Sequence, residues 1–472
     1  MTGNPVAIGG AVAPGAAGIS PRRLILPLAL AQFICSFAGS NMNVMITDIS
    51  KDLNTDVQGV QTAITLFLLI MAILMIPCSK LTDRWGRKRC LNLGLALYGV
   101  GALLSAVAPN LGVLILGNSV FEGVGTALLI PPVYILATLW FTDVTSRAWA
   151  FGAISGLGGI GAAAGPLIGG LIATGIDWRA AFVFQAVVVA TILVLSRRLV
   201  DPLPADPTRP FDAVGAILSA VGMFFVVFGI LQAGTHNALF VLFVVLGLAF
   251  LAGFYFYIRA RERAGKEALL STGLFRNRTC NLALVTQNMQ WLVLMGVSFV
   301  VSVFLQTVRG YSAIGTGVVF TAATVGVLVS SFAAQRLAKK YSQRTLIVAG
   351  FLVTVAGIGL LLGFLDSTSR IVAFVPGLLL IGLGLGGMLT PSVNVVQSSF
   401  PEALQGEISG LSRSVSNLGS TFGTAIAGTI LVSVVATGTR SYAIAMIVLA
   451  GFGLIGLGAA WLLPRQVERQ EG

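Results

Sequence analysis

The chain has 472 residues, of which 56% are hydrophobic and only 10% charged, with a formal charge of +12 and a mean hydropathy of +0.93. A soluble domain carries about 25% charged residues, so this composition excludes a soluble protein and places the chain in a bilayer. The basic excess is no nucleic-acid signal, because it follows the ends of apolar runs instead of forming one patch.

Residues 1–21 are small, Gly/Ala-rich and almost uncharged, and read as a disordered cytoplasmic tail. No basic stretch precedes an apolar core there, so a signal peptide is not expected. Fourteen runs then have the length and apolar character of membrane-spanning helices. They cover 24–47, 58–78, 90–108, 111–139, 148–174, 180–197, 213–234, 238–258, 279–307, 314–336, 345–365, 371–397, 408–434 and 440–463. With the N-terminus in the cytoplasm, 23 Lys and Arg fall on the inside and 5 on the outside. Both termini are therefore expected in the cytoplasm of a multi-pass cell-membrane protein.

Between the sixth and ninth runs the pattern changes. The stretch "RRLVDPLPADPTRPFD" (197–212) is too proline-rich for a continuous helix, and "RARERAGKEALLSTGLFRNRT" (259–279) is basic and polar. The two plain apolar runs between them read as an insert. The expected architecture is an all-α integral membrane protein with two six-helix halves, 22–200 and 279–464, joined by linkers and two inserted transmembrane helices over 201–278. A cytoplasmic tail follows over 465–472.

The halves resemble each other. "SKLTDRWGRKR" (79–89) and "QRLAKKYSQRT" (335–345) each follow the second span of their half, with Leu81 and Leu337 aligned 256 residues apart. "GPLIGG" (165–170) and "GTAIAG" (423–428) lie in the fifth spans, preceded by "GAISG" and "GEISG". Matched six-helix halves point to a transporter whose site lies at the midplane between them.

On these residues the chain resembles the major facilitator superfamily. "LTDRWGRKR" (81–89) looks like its loop signature, "GAAAGPLIGG" (161–170) like its antiporter signature, and "DWRAAFVFQ" (177–185) like the phrase opening its sixth helix. "FRNRT", "GYSAIGTG" and the count of fourteen spans are similar to the fourteen-helix drug:proton antiporter branch. That resemblance implies proton-coupled export of amphipathic organic compounds, cations among them, by alternating access. The alternative is a proton-coupled importer or exporter of one specific metabolite. The chain departs from the family in four places, one of them Glu122, which stands where the fourth helix usually has glutamine. Ser79 replaces the first glycine of the loop signature, Ala38 stands where the branch often has an acid in its first helix, and Ser119 stands where an arginine is usual in the fourth.

In the loop signature, Asp83 is placed to accept from Arg84 or Arg87 and from the amides of a neighbouring helix N-terminus, with Gly86 free to turn. The resemblance implies a gating latch built from Asp83, Arg84, Gly86 and Arg87; a topogenic basic cluster is the other reading. In the second half Lys339 and Ser342 replace the acid and the glycine, which predicts a lost latch there. In the fifth span Gly161, Gly165 and Gly169 repeat every four residues, and small residues at that spacing permit close helix approach. With the bend at Pro166 and with Gly170, the resemblance implies a tight seam against the other half that favours export.

Glu122 is the one acid deep in a span, about 16 Å along the fourth helix from Leu111 at 1.5 Å per residue. A charge at that depth costs about 2.5–3.5 kcal/mol on insertion scales, so it must face the interior, find a partner or carry a proton. Proton coupling is the leading reading. A carboxyl hydrogen-bonded to hydroxyls or backbone, and a static pair with Arg413, the only arginine within a span, stand beside it. Gln32, Asn41, Asn43, Gln287, Asn288, Gln290, Trp291 and Asn394 are further polar or amphipathic side chains inside spans, and they are expected to line a substrate cavity.

No span carries a metal cluster, a Ser–His arrangement or a nucleotide loop, so no enzyme, no ATP and no cofactor are expected, only the proton gradient. Cys35, Cys78, Cys90 and Cys280 show no paired spacing and read as free thiols, and the single His236 excludes a histidine metal site. The expected partners are the lipid bilayer and a small-molecule substrate, with no nucleic acid, for a monomer.

Overall fold

The structure is a computed structural model that describes residues 21–141, 144–203, 205–208, 210–232, 236–338, 340–364, 371–400, 405–433 and 439–465. Nearly all of the tail expected over 1–21, the tail over 465–472 beyond Arg465, and Lys339 lie outside them. The fold is all-helical. The first half contains α1 (Pro21–Asn41), α2 (Ile46–Asp52), α3 (Val57–Trp85), α4 (Arg87–Ala106), α5 (Leu111–Leu114), α6 (Gly123–Trp140), α7 (Val144–Gly175) and α8 (Trp178–Ser196). The inserted pair is α9 (Ala213–Gln232) and α10 (Asn237–Arg263). The second half contains α11 (Arg278–Val303), α12 (Ala313–Leu337), α13 (Gln343–Phe364), α14 (Val375–Gln397), α15 (Gln405–Ser433) and α16 (Arg440–Trp461).

Among the described residues, thirteen helical segments are long and apolar enough to cross a membrane. The remaining expected span, 408–434, coincides with α15 (Gln405–Ser433), and its last residue, Val434, lies outside the described residues. Serine and threonine dilute the apolar character of α15, yet these hydroxyls cost little in the interior. Ser416, Ser420, Thr421 and Thr424 each donate to the carbonyl four residues earlier in the same helix. The helix is also sheltered between α3, α9, α11 and α16.

The internal repeat is visible as paired backbone approaches. Gly94 and Gly101 of α4 pack against Gly125 and Gly117 of the fourth span. Gly350 and Gly357 of α13, each 256 residues later, pack against Gly384 and Gly377 of α14. In these four pairs a Cβ on one glycine would meet the other's carbonyl oxygen, so only hydrogen permits the contact.

The stripe Gly161, Gly165 and Gly169 forms a similar seam, but not against the other half as expected. It faces Phe33, Phe37, Ser40 and Asn41 of α1, within its own half. Helical geometry decides this. Three glycines four residues apart share one face, and α1 occupies it. The neighbouring face meets the second half: a Cβ at Gly170 would lie 2.5 Å from the Ala313 carbonyl oxygen, and one at Gly317 would lie 2.6 Å from that of Pro166. Gly419 and Gly423 of α15 repeat the α1 seam against Asn288 and Leu292 of α11.

The halves meet at both ends of the bundle. On the side where α3 ends, Lys80 pairs with Glu407 of α15 at 2.7 Å, and Ser414 donates to the Ala72 carbonyl. On the opposite side Gln306 donates to the Asn43 carbonyl at 2.8 Å and accepts from the Thr47 amide at 3.2 Å, while the Ile314 amide donates to Thr174. The inserted helix α9 rests against both α3 and α15, and Thr429 donates to the Ile230 carbonyl. α10 packs chiefly on α9 and is the least buried span. Asp212, almost fully buried, ties the insert to its linkers by accepting from the Gly215 amide, the Tyr257 hydroxyl and the Leu269 amide. The four cysteines are free and buried.

The α1–α7 seam predicts unequal tolerance along one helix. Gly161→Val would drive a side chain into the Phe33 backbone and should destabilise the protein by about 1–3 kcal/mol. Gly156→Val meets nothing within 4 Å and should stay within about 0.5 kcal/mol of wild type. Thermal unfolding midpoints of the two purified variants check the difference.

Candidate functional site

The fourth span is not the uniform helix its sequence suggests. Asn110 caps its start by accepting from the Val113 amide at 3.0 Å, and after one turn the backbone widens into a π-helical segment over Ile115–Glu122. Such segments recur at functional sites because the extra residue per turn re-aims side chains. Here it turns Asn118, Ser119 and Glu122 inward, all essentially without solvent exposure. Ser119, at the position where the family usually has arginine, donates to the Ala63 carbonyl of α3 at 2.8 Å and so joins two helices.

Glu122 is fully buried and forms no ion pair among the described residues. Tyr98 and Ser105 of α4 face it. The Tyr98 hydroxyl donates instead to the Gln185 side chain on α8 and lies 3.4 Å from the Ile34 carbonyl oxygen. One turn before Glu122, both amide atoms of Asn118 are buried with no hydrogen bond among the described residues. The site is thus a buried polar cluster inside the first half, bordered by α1, α4, α6 and α8. Interiors ordinarily pair such groups, and leaving one unpaired costs about 1–3 kcal/mol. An unusual cluster of this kind is suited to a proton or another small polar ligand.

Arg413 lies elsewhere. It donates to the Tyr134 hydroxyl, stacks over the Tyr134 ring at 4.3 Å, and forms no ion pair with Glu122. Tyr134 follows Glu122 by twelve residues, about 18 Å of helix, which explains the separation. The Tyr134 hydroxyl also donates to Gln32 at 3.2 Å, and Gln32 donates to Ser36. A polar chain therefore runs from α15 through the fourth span to α1 and crosses between the halves.

The other amides do not form one group. Asn41 is buried with both amide atoms unpaired, and Asn43 is buried beside the break in the first helix. Gln287 accepts from Ser412 and Asn288 donates to the Val415 carbonyl, so both face α15. Gln290 accepts from Ser392 of α14, and the Nε2 atoms of Gln287 and Gln290 are left without partners. Trp291 and Asn394 are half-buried.

In the loop between α3 and α4, Gly86 has φ +91°, the left-handed conformation that favours glycine. Asp83 pairs with Arg87 one turn later. The amides at the start of α4 turn to a different acid from the one expected: Asp201, in the linker, accepts from Arg87 N at 2.7 Å and Lys88 N at 3.3 Å. Asp83 meets that linker through its own carbonyl, which accepts from the Asp206 amide. Arg84 is exposed at the loop surface.

The family model described as "Major Facilitator Superfamily" matches residues 28–276, 211–424 and 283–471. The chain belongs to the Major Facilitator Superfamily. Within this superfamily it is 29% identical over 421 residues to a puromycin resistance protein of Streptomyces alboniger, covering 88% of this chain and 82% of that protein. It is also 29% identical over 371 residues to a multidrug efflux pump of Mycolicibacterium smegmatis, covering 78% and 72%. A crystal structure of a peptide transporter in complex with sulfate has the same fold, with a TM-score of 0.67 at 17% identity over 94% of this chain and 95% of that one.

Sequence reading singled out Glu122 but missed Tyr98, Ser105, Asn118 and Gln185 around it. A signal was present: each is a polar side chain within an apolar span, and Asn118 lies four residues before Glu122. Tyr134 was missed as well, because nothing in the order of residues shows that α15 brings Arg413 to it. Tyr134→Phe keeps the ring under Arg413 but removes the bond to Gln32. It should lower stability by about 0.5–1.5 kcal/mol, and Arg413→Ala by more, as read by thermal unfolding in detergent.

Proposed function

We propose that this member of the superfamily is a proton-coupled secondary transporter that exports amphipathic organic compounds, including cations, by alternating access. The observation that carries the reading is Glu122, a fully buried carboxyl with no charged partner among the described residues, set in a widened helix and faced by the Tyr98 and Ser105 hydroxyls. A group so placed is suited to gaining and losing a proton as its surroundings change. The names of the resistance and efflux relatives support export of small organic molecules.

The contacts between the halves supply the two gates such a cycle needs. Lys80–Glu407 and Ser414–Ala72 would part to open one side, and Gln306 with Asn43 and Thr47 would part to open the other. The halves over 22–200 and 279–464 would rock about the chain Arg413–Tyr134–Gln32, which joins them between the two gates. Asp83 and Arg87 act as the latch of the first gate, with Gly86 as its turn and Arg84 beside it. Gly161, Gly165, Pro166, Gly169 and Gly170 keep α7 close to both α1 and α12. The charge asymmetry supports a cytoplasmic location for both termini and for the Lys80–Glu407 gate. The energy source is the proton gradient, without ATP or a cofactor, and the working unit is a monomer.

Glu122→Gln keeps shape and hydrogen-bonding capacity but removes the titrating proton. In inside-out vesicles given a proton gradient, uptake of a panel of cationic and neutral amphipathic dyes should fall to the level of vesicles lacking the protein, while the variant still inserts and purifies normally. Proton-driven uptake equal to wild type would sink the coupling role of Glu122.

A further inference from the structure

Five basic residues crowd the loop between α3 and α4, and the structure sorts them into two kinds. Lys80 pairs with Glu407, Arg87 with Asp83 and the Leu203 carbonyl, and Lys88 with the Arg197 carbonyl. Arg84 and Arg89 have no partner among the described residues, and both are exposed. The nearby acids are committed to other groups: Asp83 to Arg87, Asp201 to backbone amides, and Asp206 to Thr208.

The two free guanidinium groups line one open-sided pocket of about 460 Å³, together with Trp85, Leu93, Ala205 and Pro207. Ala205 and Pro207 form its wall, held to the loop by Asp201 before them and by the Asp206 amide between them. Trp85 ends one span and Leu93 lies within the next, each 44% exposed, so the pocket continues onto a surface that faces lipid. Tryptophan at a span end sits at the headgroup level. Arginine presents a planar fork that fits phosphate oxygens in pairs.

We infer that this pocket binds the phosphate of an anionic phospholipid, held by Arg84 and Arg89, with an acyl chain lying along Leu93 and Trp85. Basic pockets beside spanning helices favour acidic headgroups, and each arginine near such a surface contributes about a fivefold factor in affinity. The assignment shares only Arg84 with the proposed latch and does not rest on the transport reading, since it concerns a lipid instead of a substrate.

The test uses the full chain purified in detergent, with lipid retention read by native mass spectrometry. Wild type should retain phosphatidylglycerol in clear preference to phosphatidylcholine. Arg84→Gln combined with Arg89→Gln should weaken phosphatidylglycerol retention about 25-fold, from two factors of about five. Ala205→Trp, which fills the pocket but keeps both charges, should weaken it as well and serves if the double variant fails to fold. Equal retention of the two lipids by wild type, or undiminished phosphatidylglycerol binding in the folded variants, would overturn the proposal. Displacement of the lipid by millimolar inorganic phosphate would reassign the pocket to a soluble anion and overturn it equally.

Discussion

Two helices surrounded by lipid gain little from laying one apolar face on another, because the lipid is just as apolar. They adhere where their backbones come close, and backbones come close where side chains are missing. Glycine supplies that condition here at matched places, between α4 and the fourth span and again between α13 and α14. The candidate site depends on the first of these seams. With Gly101 and Gly117 in contact, α4 lies near enough for Tyr98 and Ser105 to face Glu122. Ser119, in the same helical segment, ties it to α3 by bonding the Ala63 carbonyl.

Contacts between the halves are of several kinds: polar bonds tie the two ends, the Arg413–Tyr134–Gln32 chain crosses between them, and Gly170 and Gly317 bring α7 and α12 close. Glu407 illustrates the economy: one oxygen accepts from Lys80 and the other from the Ser271 amide, so a single carboxylate joins the first half, the second linker and α15. Gln306 does the same on the opposite face, donating and accepting across the break in the first helix. Bonds of this kind are individually modest, which suits surfaces that must separate and close again. The glycine seams lie mostly within the halves, where no separation is required.

Much of this was legible in the residue order. The apolar runs give the helices in sequence and nearly in extent, since a helix in lipid must satisfy its own backbone. The recurrence of loop and glycine phrases 254 to 258 residues apart reveals two related halves, and the glycine pairs recur at offsets of 256 to 260. Other features required the third dimension. The stripe at Gly161, Gly165 and Gly169 announces a close neighbour but not which one, and α1 proved to occupy that face. The separation of Glu122 from Arg413 depends on how far along the bundle each helix carries its charge. The capping of α4 by Asp201 joins residues more than a hundred positions apart. The polar composition of α15 is an obstacle only if hydroxyls must find partners on other helices, and here several of them bond backward along their own.

That backward bonding has a mechanical meaning. A hydroxyl that shares a carbonyl with the helical amide weakens the helix's own ladder and lets the axis curve. In α15 such hydroxyls recur from Ser416 to Thr424, a stretch bounded by Arg413 on one side and by the contact of Gln61 with the Thr424 carbonyl on the other. The helix that carries Glu407 at one end is therefore compliant in its middle. A bend placed there would let the two ends of α15 follow different neighbours, Lys80 and the Ser271 amide at one end and the Ile230 carbonyl of the inserted α9 at the other.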